Sequence, residues 1–204
     1  MQVLSRQRGA SLIEVSRIVD VSRVATRRHL RGFTLIELVV TMAVALVLLM
    51  IAVPSFKTIT LSSKLTATAN DVVGAVRIAR MEAIKRNSST QLCSNDATTN
   101  TTDALGTACG TQAGAVYVLI NSQAIKVRDG ITGLTTPLQL SGTMAAIRFT
   151  GQGLGYTPGN TTLYAGTVAD ICTSSMSSNS HRVISMTAGS LITTTTPTTA
   201  GTCP

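Results

Sequence analysis

Residues 33–53, FTLIELVVTMAVALVLLMIAV, are apolar but for Thr34, Thr41 and Glu37, the single charge among 21 positions. As a helix rising 1.5 Å per residue this segment spans roughly 31 Å, the thickness of a bilayer core. A core helix of a soluble protein keeps a polar face, and this one has none, so it is predicted to cross a membrane. Pro54 follows at once and is placed to bend the helix. From residue 55 to about residue 88 the pattern turns amphipathic. Leu65, Ala69, Val72, Val76, Ala79 and Ala83 recur at alternating spacings of four and three, which puts them on one face. Lys64, Asn70, Arg77 and Lys85 fall elsewhere. Lys85 and Arg86 suit the negative pole of the helix dipole, and Asn87-Ser88 is a stop. Gly74 inside this helix costs about 1 kcal/mol relative to Ala and is expected to mark a close approach to a sheet.

Beyond residue 90 the period shortens to that of strands. Residues 90–93 open a β domain. Residues 115–120 and 124–128, parted at Asn121-Ser122, read as a hairpin. Short runs follow at 138–140, 146–150, 161–165 and 170–173. Residues 182–187 and 190–194 form a last pair around Ala188-Gly189. Gly151, Gly153, Gly155 and Gly159 punctuate a loop. Its GQGLG stretch lacks the helix and Lys that a phosphate loop needs.

Composition agrees with an apolar segment joined to a Thr/Ser/Gly-rich β domain. Charged residues are 13% of the chain, too few for the surface of a soluble helical bundle, while 44% apolar content excludes disorder throughout. Two His in 204 residues leave little for histidine-based metal or acid–base chemistry. The net charge of +8 is uneven: residues 1–32 carry +5 and residues 33–204 carry +3. The basic balance therefore sits mostly ahead of the apolar run and does not by itself point to nucleic acid. Arg27, Arg28 and Arg31 precede the run and mark its cytoplasmic side, which sends the rest of the chain outward. A secretory signal peptide is the rival reading, but Ala52-Val53-Pro54 is a poor cleavage site.

The residues at the start of the run, Arg31-Gly32-Phe33-Thr34-Leu35-Ile36-Glu37-Leu38, resemble the type III signal of type IV prepilins and type II secretion pseudopilins. The stretch LTATANDVVGAVRIARMEAIKR from Leu65 resembles the corresponding helix of the FimT/GspH family of minor pilins and pseudopilins. The resemblance implies an α+β, type IV pilin-like fold, with a long N-terminal helix packed on a C-terminal antiparallel β domain. It divides the chain into a leader at 1–32, a transmembrane and filament-core helix at 33–53, an amphipathic helix at 54–88 and a periplasmic β domain at 89–204. It implies cleavage by prepilin peptidase between Gly32 and Phe33, N-methylation of Phe33, a register role for Glu37 and a helix-kinking role for Pro54. A carboxylate near the start of a membrane helix costs about 2.5–3.5 kcal/mol, so it persists where something uses it. The expected use is pairing with the Phe33 amine of a neighbouring subunit.

The implied partners are prepilin peptidase, other pilins or pseudopilins, the inner-membrane assembly platform and membrane lipid. The expected location is the inner membrane, crossed once with the N-terminus cytoplasmic and the β domain periplasmic, and then a pilus or pseudopilus. A leader of 32 residues is long for this class, so it is a long leader or an early start. An upstream echo, Arg8-Gly9-Ala10-Ser11-Leu12-Ile13-Glu14-Val15, is followed by charges and cannot span a membrane.

Four Cys, at 93, 109, 172 and 203, allow three pairings. Export makes disulfides favourable. Closure of neighbouring segments and the pairs seen in FimT-like proteins both favour Cys93–Cys109 with Cys172–Cys203. Without a CxxC pair or a nearby His, zinc is a poor fit.

No enzyme activity and no cofactor are expected. His181 sits in Ser/Asn-rich sequence with no acidic neighbour within ten residues and reads as a solvated loop residue. Asp96 and Asp103, with Asn95 and Asn100, loosely suggest calcium, but the spacing is not that of an EF-hand and a polar solvated loop fits better. Some FimT-like pilins carry a Gly-Arg-x-Arg element tied to DNA capture. The matching positions, Gly189-Ser190-Leu191-Ile192, lack both Arg. Arg182 is left as the candidate for a weak DNA contact, and Lys126, Arg128 and Arg148 for a small basic patch or the outward face of a sheet. The function read from the chain is a minor pilin-like structural subunit of a type IV pilus. The alternatives are an H-type pseudopilin of a type II secretion system and a DNA-binding minor pilin for natural transformation.

Overall fold

The computed structural model describes residues 32–198 and 203–204. The expected leader, apart from Gly32, and the basic flank Arg27, Arg28 and Arg31 lie outside the described residues. The chain divides into two compact units, Met1–Val44 and Ala45–Pro204.

Helix α1 runs over Leu35–Arg86. Pro54 stays inside it, and the Thr58 hydroxyl donates to the Pro54 carbonyl at 3.1 Å. The end of α1 is set by Asn87, at φ 46°. There Asn87 N donates to Ile84 O at 3.2 Å and Ser88 N to Ala83 O at 3.1 Å, the paired bonds of a Schellman motif. Asn87-Ser88 therefore stops the helix as its sequence predicts. The predicted face, Leu65, Ala69, Val72, Val76, Ala79 and Ala83, is buried throughout, joined by Ala75 and Thr68. Lys64, Asn70, Arg77 and Lys85 are exposed. Gly74 corrects the sequence reading: a Cβ there would meet nothing within 4 Å, so no sheet approaches it.

Strand β1 (Thr90–Leu92) follows, then a 3₁₀ turn at Ala97–Asn100 and helix α2 (Ala104–Cys109), neither of which the apolar pattern announces. Strands β2 (Val116–Ile120) and β3 (Gln123–Arg128) form the predicted hairpin. Its turn residues Asn121 and Ser122 have φ of 50° and 62°, as a two-residue type I′ turn requires. Then come β4 (Gln139–Leu140), β5 (Ile147–Phe149), β6 (Gly155–Tyr156), β7 (Gly166–Cys172), β8 (His181–Thr187) and β9 (Leu191–Thr195). One sheet has the order β3-β2-β1-β5-β6 and the other β4-β7-β8-β9, with every pair antiparallel.

Both sheets bury one face against the same stripe of α1. Leu92, Val116, Ile147 and Phe149 from the first and Val168, Ile171, Ile184 and Met186 from the second join Leu65, Val72 and Val76 in a single apolar cluster. A smaller cluster of Cys93, Leu105, Cys109, Ala115 and Tyr117 packs separately under α2.

The strand expected at 161–165 is absent. Leu163 makes only an isolated bridge to Tyr156, and the strand of this region is β6, inside the glycine-punctuated loop. The backbone of Tyr164 is used otherwise: its N–H donates to Gly155 O at 2.9 Å and its carbonyl accepts from Gly189 N at 2.8 Å. This clasp joins the ends of the two sheets. Gly189 is required there, with φ +65° and a would-be Cβ 2.5 Å from Gly155 O.

Candidate functional site

The site is the start of α1. Thr34 caps it: its hydroxyl accepts from Glu37 N at 3.3 Å, and its carbonyl accepts from Leu38 N at 3.1 Å. Thr34-x-x-Glu37 has the spacing of a capping box, so both residues have a local reason to stand where they do. Sequence reasoning gave Glu37 only a register role and missed the cap, although the four-residue pattern carries that signal. The Glu37 side chain is exposed, three residues into a helix whose N-terminal dipole favours an acid. Gly32 and Phe33 precede the helix outside regular secondary structure, and Phe33 is 82% exposed.

Every residue from Gly32 to Ile59 is exposed. Among the described residues, α1 is the one helix long and apolar enough to cross a membrane, and none of that stretch is buried within the chain. An apolar surface of this extent needs another apolar environment, either lipid or neighbouring helices.

The remaining candidates lie in the β domain. Both expected disulfides form, with Cα separations of 5.3 Å for Cys93–Cys109 and 5.7 Å for Cys172–Cys203. The first pins the segment carrying the 3₁₀ turn and α2, and the second ties the chain's end to β7.

Arg182, the candidate for a nucleic-acid contact, does not lie on the open surface. It is buried, pairs in register with Ile171 of β7 and spends its guanidinium inside the chain. Nη1 donates to the carbonyls of Asn179 and His181 at 2.9 Å, Nη2 to Ser62 Oγ at 3.0 Å and Nε to Thr66 Oγ1 at 3.3 Å. Burial pushes its pKa below that of a free guanidinium. It fastens β8 to α1.

The three cations expected to form a basic patch, Lys126, Arg128 and Arg148, each have a partner within the chain. Arg128 pairs with Asp71 at 2.5 Å, Arg148 with Asp103 at 2.5 Å, and Lys126 bonds Gln112 Oε1 at 2.7 Å while lying 5.6 Å from the Tyr117 ring. Each positive group already has an acceptor, which lowers its attraction for phosphate.

The Asp/Asn loop is polar and largely exposed at residues 97–99 and 102–104, as expected, and it is also structured. Asp96 caps the 3₁₀ turn through Thr98 N at 2.9 Å, and Asp103 caps α2 through Gly106 N at 2.9 Å. Arg148 beside Asp103 holds that carboxyl down to about 2. Asn100 is fully buried. It accepts from Ser94 N at 2.8 Å and donates to Ser94 O at 3.1 Å and Gly110 O at 2.9 Å. Among the described residues no group of three or more His, Cys, Asp or Glu is placed to hold a metal ion.

His181 also departs from the sequence reading. It is 3% exposed and opens β8, with Nδ1 2.9 and 3.0 Å from the two carboxylate oxygens of Asp170. Asp170 is eleven positions back, one beyond the ten residues on either side of His181 that hold no acid.

A capped, fully exposed apolar helix that continues into an α+β domain built on its second half defines a pilin-like filament subunit. Two family models agree. The prokaryotic N-terminal methylation motif matches residues 27–53, and the type II transport protein GspH matches residues 68–190. The chain belongs to the GspH family, a GspH/FimT-type group of structural pilins and pseudopilins, and carries the family's single-pass inner-membrane anchor. It has no significant match among curated proteins and none among solved structures.

Proposed function

We propose that the chain is a minor pilin of a type IV pilus, acting in initiation or at the tip. It is made as a precursor, cut by prepilin peptidase between Gly32 and Phe33 and methylated at Phe33. The β domain is then periplasmic while the helix waits in the inner membrane for the assembly platform to extract it. The observation that carries this reading is the unbroken exposure of residues 32–59 behind a Thr34 cap. Cleavage after Gly32 would leave a new amine five positions from the Glu37 carboxylate, counting Phe33 as the first. In a filament that carboxylate pairs with the amine of the next subunit, which offsets the cost of holding a charge among apolar helices. Subunits added head to tail in this way form an open helical array rather than a closed ring.

The match to a type II transport protein supports a second reading, a pseudopilin of a secretion system. Natural transformation is not proposed, because Arg182 is committed inside the chain. N-terminal sequencing of the mature protein tests the processing step, and an intact leader or a cut beyond residue 53 overturns it. Recovery of the protein in filaments sheared from the native host supports the pilus. Its absence there, with loss of protein secretion on deletion, transfers the protein to the secretion reading.

A further inference from the structure

The end of the second unit that follows the apolar run is built almost without charge. Two loops pack beside α1 there. Residues 130–138, GITGLTTPL, border Lys64 and Thr68, and residues 173–180, TSSMSSNS, border the stretch from Thr58 to Ser63. Neither loop contains an ionisable side chain. From Val53 to Asn70 the helix carries Lys57 and Lys64 and no acid. The first acid beyond them, Asp71, is held by Arg128. Lys57 and Lys64 are exposed, and neither is in an ion pair among the described residues. Phe56 and Ile59 are 71% and 63% exposed, and Met176 is half-buried in the groove between helix and loop.

Helix rise sets the height of these groups. Counted from Val53, Phe56 stands about 4.5 Å, Lys57 about 6 Å and Ile59 about 9 Å further along the axis. A headgroup layer is about 5–8 Å thick on each side of the hydrocarbon. Phe56 and Lys57 thus fall within that layer, Ile59 and the loop carrying Met176 fall at its outer boundary, and Lys64, about 16.5 Å along the axis, stands above it. Apolar side chains, hydroxyls and two lysines outside any ion pair among the described residues, with no acidic side chain in either loop or in helix residues 53–70, match the chemistry of an anionic lipid surface.

We propose that this end of the domain is a lipid-docking surface. Phe56 rests in the interfacial layer with Ile59 and Met176 at its outer boundary, Lys57 engages the phosphates of anionic phospholipids, and Lys64 adds a longer-range attraction to them. The docked pose holds the stored subunit against the membrane and is given up on extraction. The inference rests on the reading of the chain as a single-pass anchored subunit with this domain outside.

The chain has no Trp, so Met176→Trp installs a single reporter. The full chain is reconstituted in vesicles of phosphatidylcholine and phosphatidylglycerol containing a nitroxide-headgroup lipid. Trp at position 176 is expected to lose most of its emission, while the control Ile125→Trp, on exposed β3, stays bright. Lys57, at phosphate height, contributes about fivefold to the ratio of docked to undocked chain, and Lys64, further out and screened, contributes less. The double variant Lys57→Gln/Lys64→Gln, high salt or vesicles without phosphatidylglycerol should therefore restore the emission. Ser178→Trp serves as reporter if Met176→Trp does not fold.

A chain that does not float with the vesicles overturns the anchor reading and this inference with it. A chain that floats with its reporter as bright as the control overturns the docking alone. Quenching that depends on protein density and ignores lipid charge assigns the surface to a second copy, and overturns lipid docking equally.

Discussion

Asp103 does three things at once. It caps α2, accepts from Thr101 Oγ1 at 3.2 Å and pairs with Arg148, whose second amino group reaches Gln91. Arg148 is the main reason its carboxyl ionises near 2. A folded-state pKa below the unfolded value of about 3.9 adds stability above that pH, and the gain is lost as pH falls toward 2. With the Asp103 side chain 48% exposed, solvent screening holds the gain to about 1 kcal/mol or less. Urea melts of the wild type and Asp103→Asn should therefore differ at pH 6 and converge near pH 2. Curves that stay equally separated across that range would show that the charge is not what matters. Arg182 is a case of higher cost, because its guanidinium is buried with four acceptors. Arg182→Ala leaves the carbonyls of Asn179 and His181 without that donor and should destabilise the second unit by about 3 kcal/mol, read as a lower urea midpoint. An unchanged midpoint would mean that the bonds from β8 to α1 contribute nothing net.

Among the elements, α1 invites the simplest test. Gly74 has open space around its would-be Cβ and lies mid-helix, so Gly74→Ala should stabilise by about 1 kcal/mol, raising the melting temperature by about 2–4 °C. A drop in melting temperature would reveal a contact at Gly74 that the fold does not show. The segment of the 3₁₀ turn and α2 depends on different forces. It has a small cluster of its own, the Asn100 hydrogen bonds and the Cys93–Cys109 link over a separation of 16 residues. Replacing both cysteines by Ala should cost about 3 kcal/mol. It should also open residues 94–108 to proteolysis while the main sheets stay protected. Resistance equal to the wild type would mean that Asn100 and the caps suffice.

At the scale of the whole molecule the division of labour follows solvent. The second half of α1 is covered by two sheets, and the first half is left for lipid or other helices. Glu37 is the charge that this arrangement exposes to an apolar partner. Glu37→Ala should enter the membrane and be processed normally, while its incorporation into filaments falls by more than about tenfold, the effect of losing an ion pair worth at least 1.4 kcal/mol. Quantitative immunoblots of sheared filaments against whole membranes read the ratio, and an unchanged ratio removes the pairing.

The features determined by sequence alone are those whose cause is local. The 21-residue apolar run, the four-three spacing from Leu65 to Ala83, the Asn87 stop and the Asn121-Ser122 turn each act through neighbours within a few positions, so their periods and turn residues announce them. Other features depended on what folding brings together. Arg182 meets Thr66 across 116 residues, Arg148 meets Asp103 across 45 and His181 meets Asp170 across 11. The strand expected at 161–165 also yielded to tertiary structure, because the Tyr164 backbone divides its two bonds between Gly155 of β6 and the Gly189 turn, leaving a single bridge from Leu163 to Tyr156. Short apolar runs show that a segment is able to form a strand, whereas the hydrogen-bond partners that decide the matter come from distant chain. Whether a polar side chain is a free surface group or an internal fastening is fixed by the same long-range meeting, since burial in a low-dielectric interior requires each such group to find a partner.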